Sequence, residues 1–240
     1  SLIGWSRSKE QVTYYPVEYI ESHGSEYIEI PWSPYGKDNV TIEVGVSWNG
    51  SGWGVVFGAA NYGDTIWFNE AIGSNRLWHH VCNSGNICQY AISKDTRYDI
   101  TYRYTKNKLK VSVDGFADTE GNLNGNVVDY NLGILKGNYG NDYRSGLDGK
   151  LYGFKLYEGE YLLFDLIPVK REDGVYGLYN LVKDEFYGNK GSGNFTGGEI
   201  GESSISSIVT SETKLLSENN NILLKTCNTI NKSNIVDSKI

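Results

Sequence analysis

Two stretches of this 240-residue chain carry the residue types best suited to chemistry, and that chemistry is holding a ligand rather than breaking a bond. Trp48-Asn49-Gly50-Ser51-Gly52-Trp53 sets two indoles on either side of a flexible turn. Asn138-Tyr139-Gly140-Asn141-Asp142-Tyr143-Arg144 mixes aromatic rings with amides, an acid and a guanidinium. Such mixtures suit a pyranose, whose apolar face stacks on a flat ring while Asn, Asp, Arg or backbone groups bond its hydroxyls. Trp48, Asn49 and Trp53 are one candidate sugar-binding set; Asn138, Tyr139, Asn141, Asp142, Tyr143 and Arg144 are the other. Both serve one site if the fold carries the loops to a single rim. Arg76, Trp78 and Tyr62 make a third, weaker group. The competing reading is structural: the tryptophans cap the core at a hairpin, and the Asn-Tyr loop is merely polar.

Bond-breaking finds less support. Glycoside hydrolysis usually needs two facing carboxylates about 5 to 9 Å apart. Strand alternation puts Glu26 and Glu29 on opposite faces, and Glu18 and Glu21 likewise, so no catalytic residue is expected. His79, His80, Cys82 and Cys88 are zinc-ligand types packed close together. On a strand His80 and Cys82 share a face while His79 points away, which argues against convergence. The loop Asn138–Asp142, with Asp148 nearby, offers oxygen ligands hard enough for calcium but lacks a recognised loop motif. A plain turn of turn-forming residues explains it as well. No cofactor is expected, with calcium the alternative.

Composition narrows the partners. A formal charge of −7 with a pI near 5.1, and no basic run, gives nothing to neutralise phosphates or anionic lipid. Nucleic acid is therefore not an expected partner. No stretch is long or apolar enough to span a bilayer, so membrane insertion is not expected either, and Ser1–Pro16 lacks the basic-then-apolar order of a secretory signal. The three cysteines argue against a disulfide framework, although Cys82 and Cys88 could close a small loop. The 19 Tyr and 6 Trp supply both strand propensity and stacking surfaces.

The elements that must position these residues read as strands. Val40, Ile42, Val44 and Val46 alternate with Thr41, Glu43, Gly45 and Ser47, a period of two that turns one face to a core. Further strands are expected at 53–60 and 65–72. Tyr98, Ile100, Tyr102 and Tyr104 alternate in the same way, and the return strand aligns Leu109, Val111 and Val113. Asp114-Gly115 then supplies a positive-φ turn into another hairpin. Glu18 to Ile30 reads as two short strands around a Ser-His-Gly-Ser turn, with Tyr19 and Tyr27 paired across the ladder. Tyr152, Phe154 and Leu156 are expected to face one way, as are Leu162, Phe164 and Leu166 across a Glu158-Gly159-Glu160 turn, as core faces of a second sheet or its edge.

Three segments follow: a lead-in or anchoring segment over 1–16, a β-sandwich over 17–198, and a polar tail over 199–240. In the tail Val209, Leu216, Leu223 and Ile230 recur at a seven-residue spacing beside Ile208, Leu215 and Ile222. That spacing suggests a C-terminal helix, with a flexible tail as the alternative.

The stretch Lys150 to Gly198 carries a final hairpin, an Ile167-Pro168 turn, a Gly177-Leu178-Tyr179 strand and a Phe-Tyr then Gly-rich close. It resembles the laminin-G-like, concanavalin A-like lectin/glucanase jelly rolls of phage and gut-bacterial surface proteins, as does the opening Glu18 to Ile30. The resemblance implies an all-β, two-sheet antiparallel jelly-roll sandwich used to hold glycans or build adhesion surfaces. Glucanases of that superfamily display a Glu-x-Asp-x-x-Glu cluster on one strand, which this chain lacks. The expectation is a non-catalytic phage virion component, a tail, receptor-binding or decoration protein that binds glycan on a host cell surface. Its partners would be other virion proteins and further copies of itself in a homo-oligomer. The alternatives are a secreted bacterial carbohydrate-binding module or adhesin domain at the cell surface, and a structural virion protein with no ligand.

Overall fold

The computed structural model describes residues 2–50, 52–61, 66–82, 87–218 and 221–236. In chain order its strands are β1 (Leu2–Pro16), β2 (Ile20–His23), β3 (Ile28–Ile30), β4 (Asn39–Trp48), β5 (Gly54–Asn61), β6 (Ile66–Gly73), β7 (Arg76–Cys82), β8 (Ile87–Ala91), β9 (Tyr98–Thr105), β10 (Lys108–Val113), β11 (Thr119–Asn122), β12 (Leu132–Ile134), β13 (Gly137–Asn138), β14 (Tyr143–Arg144), β15 (Asp148–Glu158), β16 (Tyr161–Arg171), β17 (Tyr176–Asn180), β18 (Glu185–Tyr187), β19 (Thr196–Gly197), β20 (Ser204–Glu218) and β21 (Asn221–Val236). No helix occurs among the described residues. The strands form two sheets, antiparallel apart from the short β13–β5 pair. The larger, of 13 strands, runs β11-β10-β9-β4-β15-β16-β1-β20-β21, with β2 on β15 and β17 on β16. The smaller, of 8 strands, runs β14-β13-β5-β6-β7-β8, with β12 linking β5 to β3.

The alternation seen in the sequence builds the core between the sheets. Val40, Ile42, Val44 and Val46 of β4, Tyr102 of β9 and Val111 of β10 are buried together with Phe57, Phe68, Leu77 and Val81 of the smaller sheet. Phe57 and Phe68 each stand edge-on to Tyr102 with ring centroids 5.4 Å apart, the geometry that aromatic quadrupoles favour.

Three local expectations change. Tyr19 and Tyr27 do not pair, because β2 joins the larger sheet and β3 the smaller. Tyr19 packs instead on Tyr152, and Tyr27 stacks on Tyr143 with centroids 4.1 Å apart. The hairpin β15–β16 lies in the same sheet as β4, not a second one. A bulge between Leu151 and Gly153 then gives Leu151 the buried position and swings Tyr152 to the outer face.

The tail is not helical. β20 and β21 pair from Ser204 to Glu218, and β1 pairs with β20 from Leu2 to Tyr14. A seven-residue spacing keeps one helix face but alternates strand faces. The Ser, Thr, Ile and Val content of β20 favours extended chain, and β1 supplies its hydrogen bonds. Segments at the two ends of the sequence thus join in one three-stranded ribbon, tied to the body where Tyr14–Pro16 pair with β16. At its base Tyr14, Val169, Tyr179 and Ile205 form a small second core.

Candidate functional site

At one rim of the sandwich four stretches converge: the end of β4, the lead into β5, the β6–β7 turn and the β8–β9 connection. Gly73 and Arg76 close that turn in register. Its two central residues, Ser74 (φ 51) and Asn75 (φ 59), are both left-handed, the backbone a two-residue hairpin loop needs to match strand twist. The Ile92 N–H donates to the Asn75 carbonyl at 2.9 Å, and the Asp95 N–H to the Trp48 carbonyl at 2.8 Å. These bonds fix the β8–β9 connection against both sheets. The result is a cleft of about 330 Å³ lined by Trp48, Gly50, Gly52, Trp53, Ser74, Asn75 and Lys94.

Trp53 is 45% exposed, far more than a core-capping indole requires. It leans edge-on against Trp78 with centroids 4.5 Å apart, and it lies over Gly73, where a Cβ would come within 2.5 Å of its ring. A missing side chain thus seats the indole. Trp48 forms the buried wall, at 3% exposure. The indole N–H groups of Trp48 and Trp78 are buried and find no acceptor among the described residues. Lys94 lays its stem across Gly50 and places its ammonium 5.8 Å from the Trp48 ring centroid.

The two candidate loops named from sequence do not meet. Asn138 pairs with Ala59 near the far end of β5, whereas Trp53 precedes Gly54 at its start. At about 3.3 Å per residue Asn138 lies roughly 20 Å from Trp53, and the chain comes back to β5 only after Arg144, where the Val55 N–H donates to the Ser145 carbonyl at 2.7 Å. Moreover, the polar groups of that second loop are largely used internally. Asn138 donates to the Asn131 carbonyl at 2.8 Å and accepts from the Gly140 N–H at 2.9 Å. Arg144 is paired with Asp142 at 2.8 Å and lies over Tyr139. The Tyr143 hydroxyl donates to Glu29. Burial, and then that carboxylate, push the Tyr143 phenol well above its ordinary value. Asn141 is exposed at the tip. Asn49 is spent as well, its amide shared between Glu21 at 3.1 Å and Asp148 at 3.2 Å. What the structure does join is the first candidate set and the third, through Trp53 and Trp78. Tyr62 lies outside the described residues.

The two faces of β7 divide its histidines as strand alternation requires. His80 stands beside Trp78 on the outer face, ring centroids 6.2 Å apart. His79 is fully buried opposite Glu70, Nδ1 to Oε2 3.5 Å. Burial pushes Glu70 up to about 8. Burial, followed by the neighbouring His80, pushes His79 down to about 3. Among the described residues no three His, Cys, Asp or Glu side chains gather as a metal site would need. Cys82 is a buried free thiol; the Cys88 side chain lies outside those described.

A second groove, missed in the sequence, lies on the outer face of the larger sheet and measures about 350 Å³. The register partners Gly45 and Gly153 line it without side chains, and Arg97, Asp99, Tyr152, Lys155 and Asp165 also border it. Glycines at facing positions of neighbouring strands were the available signal. Its cations are already matched: Arg97 to Asp99 at 2.9 Å and Lys155 to Asp165 at 3.4 Å. The rim cleft, by contrast, presents an exposed ring beside a lysine that has no carboxylate partner among the described residues.

No protein-family model matches the chain, and no curated protein matches it in sequence. Among solved structures it is similar to a native heptameric SAP-like pentraxin from Limulus polyphemus, at 11% identity over 62% of this chain and 76% of that one, TM-score 0.43. It is also similar to domains LG4-5 of the mouse laminin alpha1 chain, at 10% identity over 92% of this chain and 80% of that one, TM-score 0.46. Both are jelly-roll folds of the concanavalin A-like kind.

Proposed function

We propose that this chain is a non-catalytic glycan-binding protein whose site is the rim cleft around Trp53. One observation carries the reading: a half-exposed indole, braced on Trp78 and seated over Gly73, faces a cleft holding Asn75, Ser74, Lys94 and the Trp48 wall. This is the pairing of a flat apolar surface with hydrogen-bonding groups that a sugar ring requires. A glycan array with the intact protein tests it. Binding that Trp53→Ala removes supports the site; retention of full binding by Trp53→Ala sinks it, as would steady hydrolysis of a bound polysaccharide sink the non-catalytic assignment.

The setting we propose is adhesion from a virion to a host-cell glycan, supported by the resemblance of Lys150 to Gly198 to jelly rolls of phage surface proteins. The ribbon formed by β1, β20 and β21 extends from the sandwich body and suits attachment to a larger assembly or to further copies of the chain. Multivalent display would strengthen weak sugar binding without any new contact. The rival setting is a secreted bacterial binding module. Genome neighbours encoding virion proteins favour the first, and neighbours encoding polysaccharide-degrading enzymes favour the second.

A further inference from the structure

We infer that one face of the ribbon formed by β1, β20 and β21 is an interface that packs against the same face of a second copy of this chain. The inference does not depend on the sugar site, and it chooses which partner the ribbon holds.

Strand register divides the ribbon into two chemically unlike faces. In an antiparallel pair, residues directly opposite share a face, and successive residues alternate between faces. From Val209 to the tip, one face takes the positions of Val209 with Ile230, Leu215 with Leu224 and Ser217 with Ile222. The positions between these rungs, and those that β1 adds, hold only Ser, Thr, Asn and Gly, apart from Glu10 at the base. The other face takes Arg7, Lys9, Lys214 and Lys225 together with Glu212 and Glu218.

The uncharged face continues one that is already covered. At the base Tyr14 pairs with Ile205 and Val12 with Ser207, and Tyr14, Ile205 and Ser207 are buried there. From Ser207 the alternation of β20 carries that same side on through Val209, Thr213 and Leu215. Yet among the described residues β20 lies along β1 and β21 alone, and β21 along β20 alone. Core-like chemistry thus runs past the point where this chain covers it, and a three-stranded sheet needs a covered face to hold together. A second copy fits that need. An isologous contact sets a surface against its own image; a face without charge meets that image without repulsion, whereas the opposite face, with more cations than acids, does not. About ten residues at 3.3 Å, along three strands about 4.8 Å apart, give a footprint of roughly 500 Å² per copy. A pair therefore reaches the roughly 1,000 Å² that a specific interface needs.

Sedimentation of the full chain over a dilution series tests this without any ligand, so its outcome is read apart from that of the sugar site. The wild-type chain is expected to sediment as a dimer or a higher oligomer. Thr213→Lys, in the middle of the uncharged face, should weaken association at least tenfold. Thr210→Lys, on the same strand but the charged face, should leave it unchanged. Both threonines stand opposite another threonine, Thr226 and Thr229 respectively, so the two lysines disturb strand pairing alike. Should Thr213→Lys prevent the ribbon from forming, Thr213→Val reads the same face with the opposite sign: it should tighten association where Thr210→Val does not. A wild-type chain that is monomeric at every concentration overturns the inference and leaves the face to a different protein or to water. An oligomer that survives Thr213→Lys, or that responds equally to changes on the two faces, overturns it as well.

Discussion

The Trp53 cleft and the Asn138–Arg144 hairpin look alike as lists of residues, each an aromatic-amide mixture around glycine, yet they differ in what their polar groups are doing. In the hairpin, Asn138, Tyr143 and Arg144 bond within the protein. In the cleft, an indole stands out in solvent and an ammonium lacks a carboxylate among the described residues. Binding capacity is what remains after internal hydrogen bonding is accounted for, so residue types alone overrate the hairpin.

Exchanging the two lesions breaks or upholds this contrast with the largest effects. Tyr143→Ala removes the stack on Tyr27 and strips Glu29 of a donor. It should cost about 3 kcal/mol of stability, read by chemical denaturation, with glycan affinity unchanged. Trp53→Ala should do the reverse, losing about 2 kcal/mol of binding, roughly 30-fold, by titration calorimetry with an array hit, while the denaturation midpoint stays put. If Tyr143→Ala instead abolished binding in a folded protein, the hairpin would be part of the site.

A similar contrast crosses the thickness of β6 and β7, which present Trp78 to the cleft side and Glu70 and His79 to the core. Glu70, raised from 4.5 to about 8, favours folding below 4.5 and loses that contribution as pH rises to 8. His79, lowered from 6.5 to about 3, contributes above 6.5 and loses it as pH falls to 3. From 4.5 to 6.5 the two slopes cancel, because folded and unfolded states each keep one proton on the pair. Stability should therefore be flat there and fall on both sides, by on the order of 2 kcal/mol at pH 8 and at pH 3. Glu70→Gln should remove the alkaline limb and leave sugar affinity alone. A retained alkaline limb would mean that another group sets it.

How much of this was legible in the sequence follows the same division. Period-two alternation found β4, β9 and β10 because it is local, and Asp114-Gly115 found its turn for the same reason. The bulge that turns Tyr152 outward, the separation of β2 from β3 and the union of β1 with β20 depend on long-range pairing, to which neighbouring residues give no clue. The seven-residue spacing of the tail reads as a helix until the register of β20 on β1 is known. Trp48 and Trp53 were visible; Lys94, Ser74 and Asn75, which complete their cleft, sit on separate connections and share no motif. Strand alternation divides the histidines as expected, but Cys82, expected on the face of His80, is left-handed at φ 54 and turns into the core beside Val81.

Smaller effects sharpen the contrast. Gly73→Ala puts a methyl where the Trp53 ring now lies. The half-exposed indole can swing away at less than about 1 kcal/mol of stability, yet it then leaves its brace on Trp78, so affinity should drop about tenfold. Unchanged affinity in calorimetry would show that the seat over Gly73 does not matter and that Trp53 binds from a mobile position.

The weakest perturbation is the most discriminating, because Arg144 is the hairpin residue that sequence most readily assigns to a sugar hydroxyl. Its guanidinium and the Asp142 carboxylate are 56% and 48% exposed, and an exposed pair of this kind contributes about 0.2–1 kcal/mol. Arg144→Ala should lower stability by no more than about 0.5 kcal/mol and leave affinity within error. A tenfold loss of binding from so mild a lesion could not be blamed on misfolding, and would mean that the internal ion pair opens to meet ligand. The accounting that separates the two regions would then have counted as spent a group that the protein keeps available.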